Sequence, residues 1–361
     1  MKLPVSQLLA IAAMAAALLL PAGWSEHPAA VACTLLAIAG AAAGLRSWPP
    51  SAGHAIGLAA LLIGAAAPLI LLRGPGPLAL EAPGLWLFLA GWTLMLWHRL
   101  DALTRIPGDR LAAWIAPGLF GVALLYWWQV LVIGFAVPQV LLPAPSQVGH
   151  VLATRTDIFW PDFQQTFLKA VLAGFAIGSA AGFAVAIVAD RVAFLKRGLL
   201  PLTNLLSAMP IVGIAPIMVM WFGFDWQSKA AVIVVVTFFP MLVNTLAGLA
   251  SVDDMQRDLM YSYGAGYVQT LVKLRLPSAL PFVFNALKIN STLALISAIV
   301  AEFFGSPILG MGFRISAEVA RLNVDVVWAV IAIAALAGSM FYGLIAAVER
   351  ASTFWHPSYR T

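Results

Sequence analysis

Charged side chains are scarce in this sequence. Only 10% of its 361 residues are Asp, Glu, Lys or Arg, whereas 62% are hydrophobic, and the mean hydropathy is +0.95. A water-soluble domain carries about a quarter charged residues. The shortage therefore excludes an ordinary soluble globular protein and indicates that the bilayer is the solvent for most of the chain.

Cysteine and the sequence motifs of enzymes are also missing. The single cysteine, Cys33, excludes an internal disulfide. None of the six lysines follows a glycine, so the chain has no Gly-Lys-Ser/Thr phosphate-binding loop, and HExxH, CxxC and Gly-x-Ser-x-Gly are all absent. We therefore predict no catalytic residue, no metal site and no nucleotide cofactor in this chain.

Long apolar runs are what the sequence has instead. A membrane-spanning helix needs about twenty apolar residues, and we predict an all-α integral membrane protein of about ten transmembrane helices. The first run also has features of a secretory signal peptide, but apolar sequence continues past it, which favours an uncleaved first span. The ten runs lie near residues 5–23, 29–45, 54–73, 79–97, 111–137, 166–189, 199–222, 229–250, 281–304 and 326–348.

A mostly polar stretch, residues 251–281, separates the eighth and ninth runs. Ser251 and Asp254 have the spacing of a capping box, which predicts the start of a helix. An apolar stripe then recurs near helical spacing at Val252, Met255, Leu259 and Tyr263.

This short helix is expected to end at Gly264, because glycine readily adopts the left-handed conformation that terminates helices. A tight turn at Ala265 and Gly266 leads into a second short helix, which we expect to end at Pro277 because proline cannot continue a helix. A unit of this size cannot bury its own apolar stripe. It therefore needs a docking surface.

The same stretch resembles the cytoplasmic loop E-A-A-x3-G-x9-I-x-L-P of ABC importer permeases. The matching spacing here is Asp258-Leu259-Met260-x3-Gly264-x9-Leu274-x-Leu276-Pro277, in which Leu259 and Met260 depart from the two alanines. In that family the loop is a coupling helix that binds a cleft of a separate ATPase subunit. The resemblance implies that coupling to the ATPase depends on Asp258, Leu259, Met260, Gly264, Ala265, Tyr267, Leu274, Leu276 and Pro277.

From about residue 111 the sequence is similar to the nitrate/sulfonate/taurine branch of these permeases. Met209-Pro210, Ala215-Pro216 and Trp221-Phe222-Gly223 match its P-x5-P and W-F-G pattern, and residues 301–305 match its A-E-F-x-G segment. The resemblance implies a six-helix type I ABC importer permease core at 111–361. Four extra helices at 1–97 and a cytoplasmic linker at 98–110 would precede it.

Charge distribution supports one orientation. With the 251–281 loop in the cytoplasm, alternation of the spans places both termini inside, and thirteen Lys and Arg residues fall inside against five outside. Positively charged residues are enriched on the cytoplasmic side of membrane proteins. This rule explains the net charge of +5 without nucleic acid. The family resemblance implies a multi-pass protein of the bacterial inner membrane.

Polar residues and prolines within the spans predict a translocation path. Broken backbone at membrane depth is tolerated only where it is buried or lines a cavity, and ionisable residues there are often functional. Lys288 is close to a span end, so its ammonium group could instead reach the membrane–water interface. Asn244 could instead form a hydrogen bond between neighbouring helices. The predicted path residues are Pro210, Pro216, Asn244, Asn285, Lys288, Thr292 and Glu302.

A helix-packing face is predicted in the sixth span. Phe175, Gly178, Gly182 and Ala186 recur about one turn apart, and small residues at that spacing let helices approach closely.

The family resemblance also implies partners. These are a second permease copy, a dimer of ABC ATPase subunits that binds the ATP, a periplasmic solute-binding protein that delivers a small organic solute, and membrane lipid. Segments 301–321 and 355–358 resemble members assigned to pyrimidine thiamine precursors or riboflavin-like solutes. A secondary active transporter, or a membrane scaffold or sensor, remains the alternative.

Overall fold

The computed structural model contains helices and connecting turns, and no strands, in the residues it describes, which are 5–22, 24–43, 50–72, 82–104, 110–192, 194–199, 201 and 210–354. Parts of the predicted linker (105–109) and of the seventh run (202–209, including Met209), and the closing segment 355–358, lie outside these residues. The chain divides into two compact units, Met1–Gly149 and His150–Thr361. The predicted limits of the N-terminal extension (1–97), the linker (98–110) and the permease core (111–361) stay predictions.

In the residues that the structure describes, the first unit contains six complete α-helices, with a 3-10 turn at Trp24–Glu26 between the first two. Helix α1 packs against α5, and α2 packs against α3 and α4. The helices are α1 (Val5–Ala17), α2 (Pro28–Ala43), α3 (Pro50–Gly64), α4 (Ala66–Leu71), α5 (Pro83–Thr104) and α6 (Arg110–Gly134); α7 (Pro145–Thr154) leads into the second unit.

Small residues bring α1 and α5 into backbone contact. A Cβ atom on Gly91 would lie 2.6 Å from the carbonyl oxygen of Ala10, and one on Gly84 would lie 2.7 Å from that of Ala17. Met14 and Phe88 fill the core beside them. The structure thus shows this unit as a closely packed bundle of small and apolar side chains, the packing that small residues allow between membrane helices.

In its described residues the second unit contains nine further α-helices, two π-helical segments and a helical stretch at residues 194–199. Helices α9, α11 and α14 form its centre, and α16 packs against α14 and α15. The elements are α8 (Thr156–Phe163), a first π segment (Gln164–Val171), α9 (Leu172–Arg191), α10 (Ile211–Phe222), α11 (Trp226–Ala250), α12 (Asp254–Ser262), α13 (Tyr267–Thr270), a second π segment (Leu271–Arg275), α14 (Leu276–Glu302), α15 (Met311–Ala320) and α16 (Val324–Ser352).

A stripe of small residues brings α9 against α11, but it begins one residue earlier than predicted. Gly178, Gly182 and Ala186 are buried as expected, whereas Gly174 occupies the place given to Phe175. A Cβ atom on Gly182 would lie 2.4 Å from the carbonyl oxygen of Phe238 in α11. Phe175 turns to α16 and stacks edge-on against Phe341, since its ring has no room in this contact.

Five of the described helical stretches are long and apolar enough to cross a membrane: Ile115–Gly134, Thr156–Arg191, Trp226–Ala250, Tyr267–Glu302 and Val324–Ser352. Four shorter apolar helices accompany them. The structure therefore confirms a helical, multi-pass membrane architecture. The count of ten spans stays a prediction, because a helix of fewer than about 17 residues is short for the hydrocarbon core.

Candidate functional site

The predicted loop contains a separate helix, α12, that projects from the bundle. None of its nine residues is buried. Its start differs from the prediction: Asp253 is the N-cap residue and makes no side-chain cap bond, while the Ser251 hydroxyl donates to the carbonyl of Gly248 at the end of α11, at 2.8 Å. Ser251 therefore closes the preceding span, because its backbone is helical there, and the predicted capping box is absent.

Gly264 ends α12 as predicted. Its φ is +67°, in the left-handed region that glycine adopts without a Cβ clash. The N–H of Gly264 donates to the carbonyl of Tyr261 at 2.9 Å, and the N–H of Ala265 donates to that of Met260 at 3.0 Å. These two bonds form a Schellman motif, which fixes the direction in which the chain leaves α12.

The apolar stripe of α12 is not covered by any of the residues that the structure describes. Met255, Leu259 and Tyr263 are 77%, 56% and 81% exposed. Val252, which was predicted as part of the same stripe, lies before the helix and is buried at the base of the loop. The exposed carboxylate of Asp258 lies on the same helix. The stripe therefore offers several large apolar side chains and a negative charge to a partner molecule.

The second half of the loop does not end at Pro277. Helix α13, the second π segment and α14 follow without interruption, and Pro277 is the second residue of α14. A proline is tolerated there because N–H groups in the first turn of an α-helix need no intrahelical acceptor. The π turn changes the hydrogen-bond register just before it, so one continuous helix joins the loop to the ninth span.

Apolar and charged contacts anchor the base of the loop. Leu271 is buried against Leu249 and Ala279, with Leu276 packed beside them; Leu274 is half-buried. The guanidinium carbon of Arg191 lies over the aromatic ring of Tyr267, 5.1 Å from the ring centroid. Of the predicted coupling residues, Tyr267, Leu274, Leu276 and Pro277 thus belong to the base, and Asp258, Leu259 and Met260 to the projecting helix.

Sequence reasoning missed the ion pair that anchors this base. Arg275 donates from Nη1 and Nη2 to the carboxylate of Asp190, at 2.6 and 2.8 Å. Its Nε and Nη2 also donate to the carbonyl of Leu249, at 3.1 and 2.9 Å. A negative charge in the last turn of a helix interacts unfavourably with the helix dipole. The position of Asp190 near the end of an apolar run could therefore have indicated that it pairs with a positively charged side chain.

The predicted path residues fall into separate groups. Asn285 donates to the side-chain oxygen of Asn244 at 3.3 Å, and Asn244 donates to the carbonyl of Pro240 at 2.8 Å. Pro210 is the N-cap of α10 and Pro216 lies within it, and both are exposed. The structure thus joins Asn244 to Asn285 and leaves the two prolines on another helix.

Thr292 lines an open groove of about 600 Å³ between α14 and α16. The other lining side chains are almost all apolar, with Ser339 and Tyr342 on the α16 side.

Lys288 is engaged in an ion pair with Glu349 of α16, at 2.7 Å. The two side chains are 20% and 7% exposed.

Breaking a buried pair leaves one uncompensated charge, so we expect Lys288→Ala to lower the free energy of unfolding by roughly 3–5 kcal/mol. We expect the paired change Lys288→Met with Glu349→Leu to restore most of it. Thermal unfolding in detergent measures both; an unchanged single variant would contradict the pairing.

Glu302 has a defined structural task at the far end of α14. Its carboxylate is 2% exposed and accepts hydrogen bonds from the Thr166 hydroxyl at 2.7 Å and the Gly312 N–H at 2.6 Å. The Thr166 oxygen in turn accepts from the N–H of Met311 at 2.8 Å. The N–H groups at the start of a helix lack intrahelical acceptors, and these side chains supply them for α15.

Asp162 completes this cap. It accepts from the N–H of Gly310 at 2.8 Å and from Nε of Arg314 at 2.7 Å. The hydrogen bond to Asp162 raises the pKa of Arg314 above its ordinary value. We call Asp162, Thr166 and Glu302 the outer cap. Sequence reasoning named only Glu302, because its two companions lie more than 130 residues away along the chain.

A second polar cluster lies beside the first π segment. Gln165 donates to the Asp225 carboxylate at 2.6 Å, and Asp225 also caps α11 by accepting from the N–H of Trp226 at 2.8 Å. The Gln165 hydrogen bond lowers the pKa of Asp225. Lys229 is buried and donates to the backbone carbonyl of Asp225. These bonds tie the start of α11 to the π segment.

The amino-acid sequence was compared with protein families and with proteins of known function. Residues 174–353 match the family described as "Binding-protein-dependent transport system inner membrane component". The chain is 32% identical over 246 residues, 67% of its length and 96% of the relative, to the formylaminopyrimidine transport permease protein of Halalkalibacterium halodurans. The chain belongs to this family of inner-membrane transport components.

Other relatives of this permease family carry different cargo names. Identity is 30% over 254 residues to the taurine transport system permease protein of Escherichia coli, covering 66% of this chain and 88% of the relative. It is 28% over 237 residues to the riboflavin transport system permease protein of Chloroflexus aurantiacus, covering 65% and 88%.

Family membership fixes the broad role of the molecule. The chain is the transmembrane permease subunit of an ABC importer of the predicted branch, and it is not an enzyme. ATPase and binding-protein partners follow in general terms from the same membership. The relatives favour the importer over the secondary-transporter alternative, while the scaffold or sensor alternative for the N-terminal helices stays untested.

Proposed function

We propose that this permease converts the ATPase cycle of a separate subunit into solute movement through α12 and its anchored base. The observation that carries the proposal is the contrast between the two parts of the loop. Helix α12 has no buried residue, whereas Val252, Leu271 and Arg275 fix its base to two spans. An exposed apolar stripe on a rigid base is suited to receive a force from a bound partner.

The assembly we propose contains two copies of this chain and two ATPase subunits, in the bacterial inner membrane and surrounded by its lipid. The loop and both termini lie in the cytoplasm, and a solute-binding protein docks on the periplasmic side. The ATPase subunits bind the ATP, since this chain has no Gly-Lys-Ser/Thr loop. Nucleic acid has no part in this assembly.

Alternating access is the mechanism that this assembly supports. ATP-driven closure of the ATPase dimer moves the α12 helices together, and the continuous helix from Tyr267 to Glu302 carries that motion along α14. Nucleotide and solute must bind the two conformations with different affinities, because otherwise neither would shift the equilibrium.

We place the translocation path along α10, α11 and α14. Asn285 and Thr292 are exposed in the single chain, and Asn285 is hydrogen-bonded to Asn244. Exposed prolines at 210 and 216 lie on α10, which packs against α11 and α14. Lys288 and Glu302 border the path as parts of an ion pair and a helix cap, so their charges are already partnered.

The cargo we propose is a small organic solute, with a pyrimidine or flavin-like heterocycle as the first class to test. The formylaminopyrimidine and riboflavin permeases among the relatives support this class. A binding screen of such compounds against the cognate solute-binding protein tests it. Binding of sulfonates alone would contradict the proposal.

Copurification tests the role of α12. We expect Met255→Asp and Leu259→Asp to abolish copurification of the ATPase with tagged permease, because a desolvated carboxylate in an apolar interface is costly. Ile308→Asp is the matched control, since its side chain is exposed to nearly the same fraction, 75% against 77% for Met255. Equal ATPase recovery with all three variants would contradict the proposal.

A further inference from the structure

The guanidinium of Arg275 joins three parts of the molecule. It binds Asp190 in the last turn of α9 through two nitrogens and the carbonyl of Leu249 in the last turn of α11 through two N–H groups. Arg275 itself ends the π segment that returns from the loop. We call Arg275, Asp190 and the Leu249 carbonyl the base clamp.

Within the base clamp, the contact with Leu249 closes the loop into a ring. Leu249 lies just before the loop begins, and Arg275 is the last residue of the π segment that follows α13. The last carbonyls of a helix have no intrahelical donor, and a cation there is favourable with the helix dipole. Two N–H groups from one planar guanidinium therefore hold the two ends of the loop at a fixed separation.

The contact with Asp190 adds a different span to this ring. The Asp190 side chain is 4% exposed and that of Arg275 is 14% exposed, so water screens the pair only weakly. Tyr267 reinforces the contact, because its hydroxyl donates to Asp190 at 3.5 Å and its ring lies under Arg191. Helix α9 is thus bound to a loop that it does not adjoin in sequence.

We propose that Arg275 and Asp190 are the positioning pair that transmits movement of α12 to α9. The inference rests on the proposed function, in which α12 receives the force of the ATPase. Helices α11 and α14 are continuous with the loop through the backbone, whereas α9 receives the motion near the loop through the base clamp. Loss of the clamp then leaves α12 able to move with the ATPase while the end of α9 beside the loop no longer follows it, although the rest of α9 still packs against α11.

Spin-label distances between the two permease copies test this inference in the intact complex. Cys33→Ser removes the single native thiol, and one cysteine is then placed either at Gln256 on α12 or at the exposed Val188 on α9. The probe is Mg-ATP with vanadate, applied to the complex with its ATPase in lipid nanodiscs. We expect a nucleotide-dependent distance shift at both positions in the otherwise wild-type complex.

Arg275→Gln and Asp190→Asn are expected to retain the shift at residue 256 and lose it at residue 188. Arg275→Lys keeps the charge but not the planar fork of donors, so it carries the test if the first variant fails to assemble, with the same expected loss. Arg350→Gln, an exposed arginine in the last turn of α16, is the matched control and is expected to shift at both positions.

Each other outcome contradicts a stated claim. A normal shift at residue 188 in the clamp variants overturns the transmission role and leaves the proposed function intact. A wild-type shift at 256 alone, or clamp variants that bind the ATPase and shift at neither position, also overturns it. Absence of any shift at 256 in the wild-type complex overturns the proposed function itself.

Discussion

We expect Gly264→Val to leave the permease inserted in the membrane and to reduce ATP-driven uptake by about tenfold or more. The φ of +67° at Gly264 is unfavourable for any residue with a Cβ, by roughly 1–2 kcal/mol, and a β-branched side chain is worse. Apart from its two chain neighbours, no described residue has a heavy atom within 4 Å of the Cβ position, so crowding by distant residues adds nothing. The penalty acts on the Schellman turn alone, and with it on the direction of α12.

A matched control lies two residues away. Gly266 has φ −73° and ψ 171°, an extended conformation that valine adopts readily, and its Cβ position is equally open. Gly266→Val is therefore expected to retain uptake. The measurement is uptake into vesicles reconstituted with the ATPase and loaded with ATP, using the solute found by the binding screen. Equal uptake by the two variants would show that the left-handed turn is not required.

We expect Glu302→Ala to lower the free energy of unfolding by about 2–6 kcal/mol. The substitution leaves the Thr166 hydroxyl and the Gly312 N–H without an acceptor in a buried site, and each unsatisfied group costs about 1–3 kcal/mol. Glu302→Gln retains one acceptor oxygen, so we expect a smaller loss of about 1–2 kcal/mol. Thermal unfolding in detergent should rank wild type above the glutamine variant and that above the alanine variant.

Asp157 provides the control for the outer cap. It is an exposed carboxylate in the first turn of α8, and its replacement by alanine is expected to change stability by less than about 0.5 kcal/mol. A Glu302→Ala variant as stable as Asp157→Ala would show that the cap of α15 does not stabilise the protein.

Local features of this molecule could be predicted from the sequence, and distant pairings could not. Gly264 was assigned a left-handed turn because glycine between two short amphipathic segments has a local cause, and the structure confirms it. The partners of Arg275 and Glu302 lie 85 and 136 residues away. No local pattern specifies such a pairing, because it depends on how the spans pack.

Two local predictions failed where a neighbouring element competed for the residue. Ser251 was expected to start a helix, but its hydroxyl satisfies the end of the preceding one. Pro277 was expected to end a helix, but a π turn shifts the register and places it in the first turn of the next. Ser251 does lie at a helix boundary, whereas Pro277 lies near the start of α14, within the uninterrupted helical stretch from Tyr267 to Glu302. Both outcomes depend on neighbouring turns that sequence reasoning did not resolve.

Site-specific photo-crosslinking at Tyr261 tests the central claim most directly. This side chain lies on α12 and is 85% exposed, so p-benzoylphenylalanine in its place should be tolerated. The account predicts a covalent adduct between the permease and its ATPase subunit in native membranes, with no such adduct from the same probe at Ile308. An adduct from Ile308 but none from Tyr261 would contradict the account, because the ATPase would then bind the opposite end of the bundle.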